Sequence, residues 1–104
     1  MSGYSLTRQA YCDLEEAEDF LLVRQPAAAR RLGERAVEVF ELLARHLELG
    51  RRRPDLRGGL RSFSLGTHVV YYRITAGQVQ VLRVLHGARD APAILAISEG
   101  LNPP

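Results

Sequence analysis

Apolar residues recur at helical spacing over the first half of the chain and at strand spacing over most of the second. Tyr4 to Thr7 alternates apolar and polar side chains over a short stretch, which predicts an opening strand at a sheet edge. From Arg8 to about Val23, Ala10, Leu14, Ala17 and Leu21 fall four, three and four residues apart, with Tyr11 and Phe20 beside them. That spacing predicts one apolar stripe on an amphipathic helix, with Asp13, Glu15, Glu16 and Glu18 mainly elsewhere. Gln25-Pro26 breaks the pattern, and Pro26 suits the first turn of a second helix, where its missing N–H would have no partner anyway. This helix is predicted to run to about Leu47 on the stripe Ala29, Leu32, Ala36, Val39 and Leu43, with Gly50 as its terminator. So short a connection implies an antiparallel helix hairpin.

Residues 50–59 are rich in Gly and Arg around Pro54 and read as a loop. Three strand-like runs follow, Leu60–Leu65, His68–Ile74 and Gln78–His86, joined by Gly66-Thr67 and Thr75-Ala76-Gly77, connections of hairpin length. They predict an antiparallel meander. Asp90 can cap a last short helix through its side-chain oxygen, with Pro92 in the first turn and Ile94, Leu95 and Ile97 as its apolar face. The expected fold is α+β: N-terminal strand, helix hairpin, three-stranded meander and C-terminal helix, with the helices packed on one face of the sheet. At 104 residues the chain is expected to be a single domain spanning residues 1–104.

Charge changes this picture more than composition does. All 14 basic residues are Arg, which removes Lys from any catalytic or phosphate-binding role. Residues 1–50 carry six Arg and nine acids, whereas residues 51–104 carry eight Arg and three acids. The second half is therefore expected to face an acidic partner. The single cysteine, Cys12, has no internal disulfide partner, and the chain shows neither a signal-peptide pattern nor an apolar run of membrane-spanning length. A cytoplasmic protein without membrane contact is expected.

Arg51, Arg52 and Arg53, with Arg57 and Arg61, concentrate guanidinium groups able to grip carboxylates or phosphates in bidentate fashion. The alternative is a solvated, solubilising loop. At the end of the last strand stand Arg83, His86, Arg89 and Asp90, where alternation puts Arg83 and His86 on opposite faces. His86 could serve as an acid-base group or as a hydrogen-bonded turn residue, and Asp90 reads first as a helix cap. Tyr71 and Tyr72 must point to opposite faces, one to the core and the other to solvent or a polar partner. Cys12 beside Asp13 is a poor candidate thiolate. No metal site is expected, because His46, His68 and His86 are scattered along the chain and one Cys supplies none of the common zinc spacings.

The run Leu82-Arg83-Val84-Leu85-His86-Gly87-Ala88-Arg89-Asp90, the stretch from Gly50 to Phe63 and the sequence Tyr71-Tyr72-Arg73 resemble the RelE/ParE superfamily of toxins from bacterial type II toxin-antitoxin systems, and within it the ParE branch. The resemblance runs from about Ala10 to Leu95 and implies the element order read above. Ribonucleolytic members cleave ribosome-bound messenger RNA, which needs a base for the ribose 2′-hydroxyl, cations for the developing charge and an acid for the leaving oxygen. This chain has the cations but no Lys and no Tyr beyond Tyr72. Under that reading His86, Arg83, Arg89 and Arg61 would carry the chemistry. The ParE branch instead implies inhibition of DNA gyrase by binding, with no catalytic residue and no cofactor. It also implies a ParD-like antitoxin that folds across the toxin, giving a toxin-antitoxin hetero-oligomer. Antitoxin or target would then be met by Arg51, Arg52, Arg53, Arg57, Arg61, Arg73, Arg83, His86 and Arg89. A ribosome-dependent endoribonuclease and a non-toxic antitoxin-binding relative stay open as alternatives.

Overall fold

A computed structural model describes residues 3–87 and 89–101, with side chains as far as Ala96. Strand β1 (Tyr4–Leu6) leads into helices α1 (Arg8–Arg24) and α2 (Pro26–Arg45), then strands β2 (Arg51–Arg52), β3 (Arg61–Leu65), β4 (His68–Thr75) and β5 (Gln78–His86), and helix α3 (Ala91–Leu101). The sheet order is β1-β5-β4-β3-β2. β1 lies parallel to β5 at one edge, and the other neighbours are antiparallel. The predicted element order is present, with the addition of β2 in what read as pure loop.

Thr7 makes the first turn of the chain. Its hydroxyl accepts from the Ala10 N–H at 3.1 Å, capping α1, and donates to the Leu82 carbonyl of β5 at 2.8 Å. One residue thus ends β1, starts α1 and fixes both against β5. Pro26 opens α2 at its first position as expected. α1 buries only Ala10, and Tyr11 and Phe20, placed in its apolar stripe by spacing, are exposed. Arg24 covers the Phe20 ring from 3.8 Å instead.

The expectation that all helices share one face is corrected by the burial of adjacent strand residues. Tyr72 and Val84 belong to the hairpin-side core with Ala36, Val39, Phe40 and Leu43. Their chain neighbours Tyr71 and Leu85 pack with Leu56, Leu60, Ala91 and Leu95. Because side chains alternate across a strand, α3 covers the face opposite the hairpin. β5 is accordingly apolar on both faces, as a central strand between two layers must be. Both Tyr71 and Tyr72 are buried, so neither is the solvent-facing partner.

α2 ends at Arg45 rather than Leu47, and Gly50 has a role other than terminating it. The Tyr72 hydroxyl donates to the Leu47 carbonyl at 2.9 Å and accepts the Gly50 N–H at 2.8 Å. A Cβ on residue 50 would stand 2.5 Å from that hydroxyl oxygen. Arg61 donates to the carbonyls of Gly50 at 2.9 Å and Glu48 at 3.3 Å. The chain leaving α2 is therefore fastened to β4 and β3 by its backbone groups. Burial pushes the Tyr72 phenol above its ordinary value of 10.0, with the Gly50 N–H pulling the other way.

Leu43 is fully buried, and Leu43→Ala should cost roughly 2 to 5 kcal/mol in urea unfolding by leaving a cavity. Half-buried Leu14 should cost less. Tyr72→Phe leaves a buried N–H and carbonyl without their partner and should cost about 1 to 3 kcal/mol. The same variant tests the titration. The unfolded phenol ionises before the folded one, so stability is complete below pH 10 and falls as pH rises beyond it. With no Lys in the chain, tyrosine dominates that range, and Tyr72→Phe should flatten the alkaline loss of melting temperature. A slope equal to that of the unaltered protein would refute this assignment.

Candidate functional site: a basic surface around the turn into α3

The structure divides the arginines singled out by sequence into two groups. Arg83 belongs to the inward one. Between β4 and β5 the register shifts, Tyr71 pairing with Arg83 but Tyr72 with Val81, so Leu82 is an extra residue. From Arg83 to His86 the register is regular again, and the long Arg83 side chain reaches α1. There its guanidinium donates to both carboxylate oxygens of Asp13, at 2.8 and 2.9 Å, while the Val84 N–H donates to Asp13 at 3.0 Å. The two side chains keep 15% and 12% of their surface. The hydrogen bond to Asp13, opposed by burial, holds the Arg83 proton more firmly than usual. The expectation that Arg83 and His86 start from opposite faces agrees with the register, which is unbroken from Arg83 to His86: Arg83 pairs with Tyr71 of the α3-side core and His86 with His68.

Arg53 is held at 3.0 and 2.7 Å by both oxygens of Asp55 and lies 5.7 Å from the centre of the buried Tyr71 ring. Arg53 in turn draws the exposed Asp55 carboxyl below its ordinary range. Arg61 is tied to the end of α2 as described, with the Glu48 carboxylate 3.8 Å away. Arg73 donates to Gln80 at 2.8 Å across the β4–β5 ladder. These residues read as candidate contacts in the sequence, yet each has an internal partner.

Arg51, Arg52, Arg57 and Arg89 form the outward group. They are exposed and make no side-chain hydrogen bond or ion pair among the described residues. Arg51 and Arg52 are the whole of edge strand β2. Arg57 and Arg89 flank the place where the loop meets α3, because Leu56 packs with Ala91 and Leu95 and a cleft of about 170 Å³ lies between Arg57, Pro92 and Ala96. Asp90 caps α3, its carboxylate accepting from the Ala93 N–H at 3.4 Å, as its position predicted. The buried Leu56 was missed, since nothing in a Gly- and Arg-rich stretch marks one leucine as an anchor. With Leu60 it joins the loop to α3.

Of the residues that a ribonuclease would use, Arg89 stands beside His86, its N–H donating to the His86 carbonyl at 2.9 Å, but Arg61 and Arg83 do not join them. Arg61 pairs with Tyr72, whereas His86 pairs with His68 at the far end of β4, four residues along the strand and so about 13 Å away. Arg83 is occupied by Asp13. The register does join two residues that looked scattered: His68 and His86 face each other, ring centres 5.5 Å apart. A second hollow, of about 400 Å³, opens on the hairpin side between α1, α2 and β1, lined by Tyr4, Leu14, Val37 and Phe40 with Glu15 and Glu18 at its rim. No helix among the described residues is long and apolar enough to cross a membrane.

Comparison with known proteins bears directly on this architecture. The profile described as "ParE toxin of type II toxin-antitoxin system, parDE" matches residues 4–91. Toxin ParE1 of Caulobacter vibrioides is 34% identical over 99 residues, covering 91% of this chain and 99% of that protein. Toxin ParE1 of Mycobacterium tuberculosis is 32% identical over 91 residues, 86% of this chain and 93% of that one. A solved chain described as "Chromosomal ParDE TA system from P. aeruginosa" superposes with a TM-score of 0.68 at 26% identity, covering 80% of this chain and 92% of that one. The fold, with its hairpin and α3 on opposite sides of one sheet, is thus of the RelE/ParE type. The chain belongs to the ParE toxin family of type II toxin-antitoxin systems.

If Arg83 is structural, its loss should be read in stability. Asp13→Asn should lower unfolding free energy by roughly 2 to 4 kcal/mol, because it leaves a mostly buried guanidinium without its charge partner. Adding Arg83→Met should recover part of that loss, whereas independent sites would give additive losses. Additive losses in urea unfolding would show that the pair is not coupled.

Proposed function

We propose that this ParE-family toxin acts by binding, inhibiting DNA gyrase without catalysis of its own, and is neutralised by a ParD-like antitoxin. The observation that carries this reading is the division of its arginines. Two of the groups a nuclease would need, Arg61 and Arg83, are engaged internally, whereas Arg51, Arg52, Arg57 and Arg89 are exposed and make no side-chain hydrogen bond or ion pair among the described residues. Exposed guanidinium groups on edge strand, loop and helix start suit recognition of carboxylates or phosphates. Covalent chemistry would require a positioned base within hydrogen-bond reach of its substrate.

The antitoxin reading draws on both charged sides. An antitoxin segment disordered alone would order on the toxin, placing apolar side chains in the hairpin hollow and acids against the outward arginines. Arg61 is excluded from the charge test because its reversal would break the backbone contacts that fasten α2.

In titration calorimetry the variant Arg51→Glu, Arg52→Glu, Arg57→Glu should bind the antitoxin at least about tenfold more weakly and with a flatter salt dependence. Unchanged affinity would remove the charged surface from the interface. For the target, purified toxin incubated with gyrase and supercoiled DNA should accumulate cleaved DNA, and its induction in cells should arrest replication with messenger RNA intact. Cleavage of ribosome-bound messenger by the unaltered protein, lost in a folded His86→Ala variant, would overturn the gyrase reading in favour of a ribonuclease.

A further inference from the structure

Five arginines but only two acids, Asp55 and Asp90, fall in the two short segments that meet at α3, residues 51–60 and 86–95. Both acids are engaged, Asp55 by the Arg53 guanidinium and Asp90 by the Ala93 N–H at the start of α3. Arg51, Arg57 and Arg89 are left exposed with their charge unbalanced, and they border one face of the sheet. Arg51 pairs with Ser62, and Ser62 with Tyr71 of the α3-side core, so the three side chains share that face. The Asp55 carboxyl, drawn down first by its hydrogen bond from Arg53, also feels the charge of Arg51. Arg57 borders the cleft with Pro92 and Ala96, and Arg89 directly precedes the Asp90 cap. A Cβ on Gly59 would meet nothing within 4 Å, so the loop crest beside Arg57 is open.

We propose that this face binds the phosphate backbone of duplex DNA through Arg51, Arg57 and Arg89, without reading base sequence. Guanidinium groups match phosphate oxygens in bidentate fashion. Held apart on an edge strand, a loop and a turn, these three suit the repeated charges of a backbone better than a single carboxylate. The activity would belong to the toxin alone and does not depend on gyrase.

Two further features select a duplex and exclude base reading. A single strand is held by stacking its bases on exposed aromatic rings. Among the described residues the exposed tyrosine and phenylalanine are Tyr11 and Phe20, both on α1 of the hairpin side, whereas Tyr71 is buried beneath Arg53. Sequence is read by an element that enters a groove. Here the outermost strand is two residues long, and α3 packs onto the core through Ala91 and Leu95. Contact is left to backbone charge, the part of DNA binding that is independent of sequence. The hairpin side, where α1 carries Asp13, Glu15, Glu16, Glu18 and Asp19, would be turned away from the duplex by repulsion.

The test is fluorescence anisotropy of two labelled duplexes of unrelated sequence, each of about 20 base pairs, titrated with the full chain at ~50 mM salt. Binding should saturate with equal affinity for both duplexes and be tighter than for either single strand. The logarithm of the binding constant should fall against that of salt with a slope of about −2.7, about 0.9 for each of three phosphates. The variant Arg51→Gln, Arg57→Gln, Arg89→Gln should weaken binding at least about tenfold without moving the melting temperature, since these side chains hold no internal partner. Arg8→Gln, Arg30→Gln, Arg31→Gln removes as much charge from exposed hairpin positions and should weaken it less than about threefold. Absence of duplex binding, equal losses in the two variants, or tighter binding of single strands would overturn the proposal. So would loss of antitoxin affinity in the first variant without any DNA binding, which would give the face to an acidic protein. Cleaved DNA accumulating with gyrase while the toxin alone binds no duplex would overturn it and leave the gyrase reading standing.

Discussion

The Asp13 carboxylate holds the last strand against the first helix, and the layering of the molecule follows from that contact. β1 covers the edge of β5 only from Val79 to Val81. Beyond it the strand would present bare backbone groups, and α1 supplies their partners: the Thr7 hydroxyl takes the Leu82 carbonyl and Asp13 takes the Val84 N–H. A half-buried carboxylate needs a countercharge, and Arg83 provides it. With α1 placed by these contacts, the tight connection at Gln25 lays α2 beside it, and Val39, Phe40 and Leu43 meet the sheet.

The same residue type serves two purposes, and local partners decide which. Arg61 grips carbonyls just beyond the end of α2, where the negative end of the helix dipole favours a cation. Arg53 spreads over Tyr71 and closes the smaller core from above. Such arginines trade freedom for hydrogen bonds and become part of the scaffold. Arg51, Arg52, Arg57 and Arg89 stay exposed to solvent, the condition for meeting a partner. Charge density along the sequence is blind to this distinction, because an arginine three residues from an aspartate and one three residues from a glycine contribute alike.

That blindness marks the limit of what could be read in advance. Period and punctuation revealed β1, the hairpin, the meander and the cap at Asp90, since each depends on neighbours within a few residues. The side of the sheet taken by α3 depends on which apolar residues of β4 and β5 lack cover, a question of packing between distant segments. Leu56 was invisible for the same reason. The bulge at Leu82 was hidden because a run of apolar residues buried on both faces has no alternation to disturb. His68 and His86 become neighbours only once the β4–β5 register is known. The orientation and availability of the candidate residues were therefore not legible.

The contacts that place β1 and α1 have a further consequence for how the molecule comes into being. Thr7 pairs with Leu82 and Asp13 with Arg83, separations of 75 and 70 residues. Contacts of such long range slow folding, because a large loop must close before they are rewarded. During synthesis the first strand and first helix leave the ribosome long before anything exists for them to pair with. A nascent chain that has not reached β5 lacks the strand that joins β1 to β4, its Asp13 partner and the turn into α3. The basic surface and the completed sheet consequently arise together, once β5 and the turn into α3 have been made, and a product that stops before β5 would carry the hairpin without the sheet that gives it a shape.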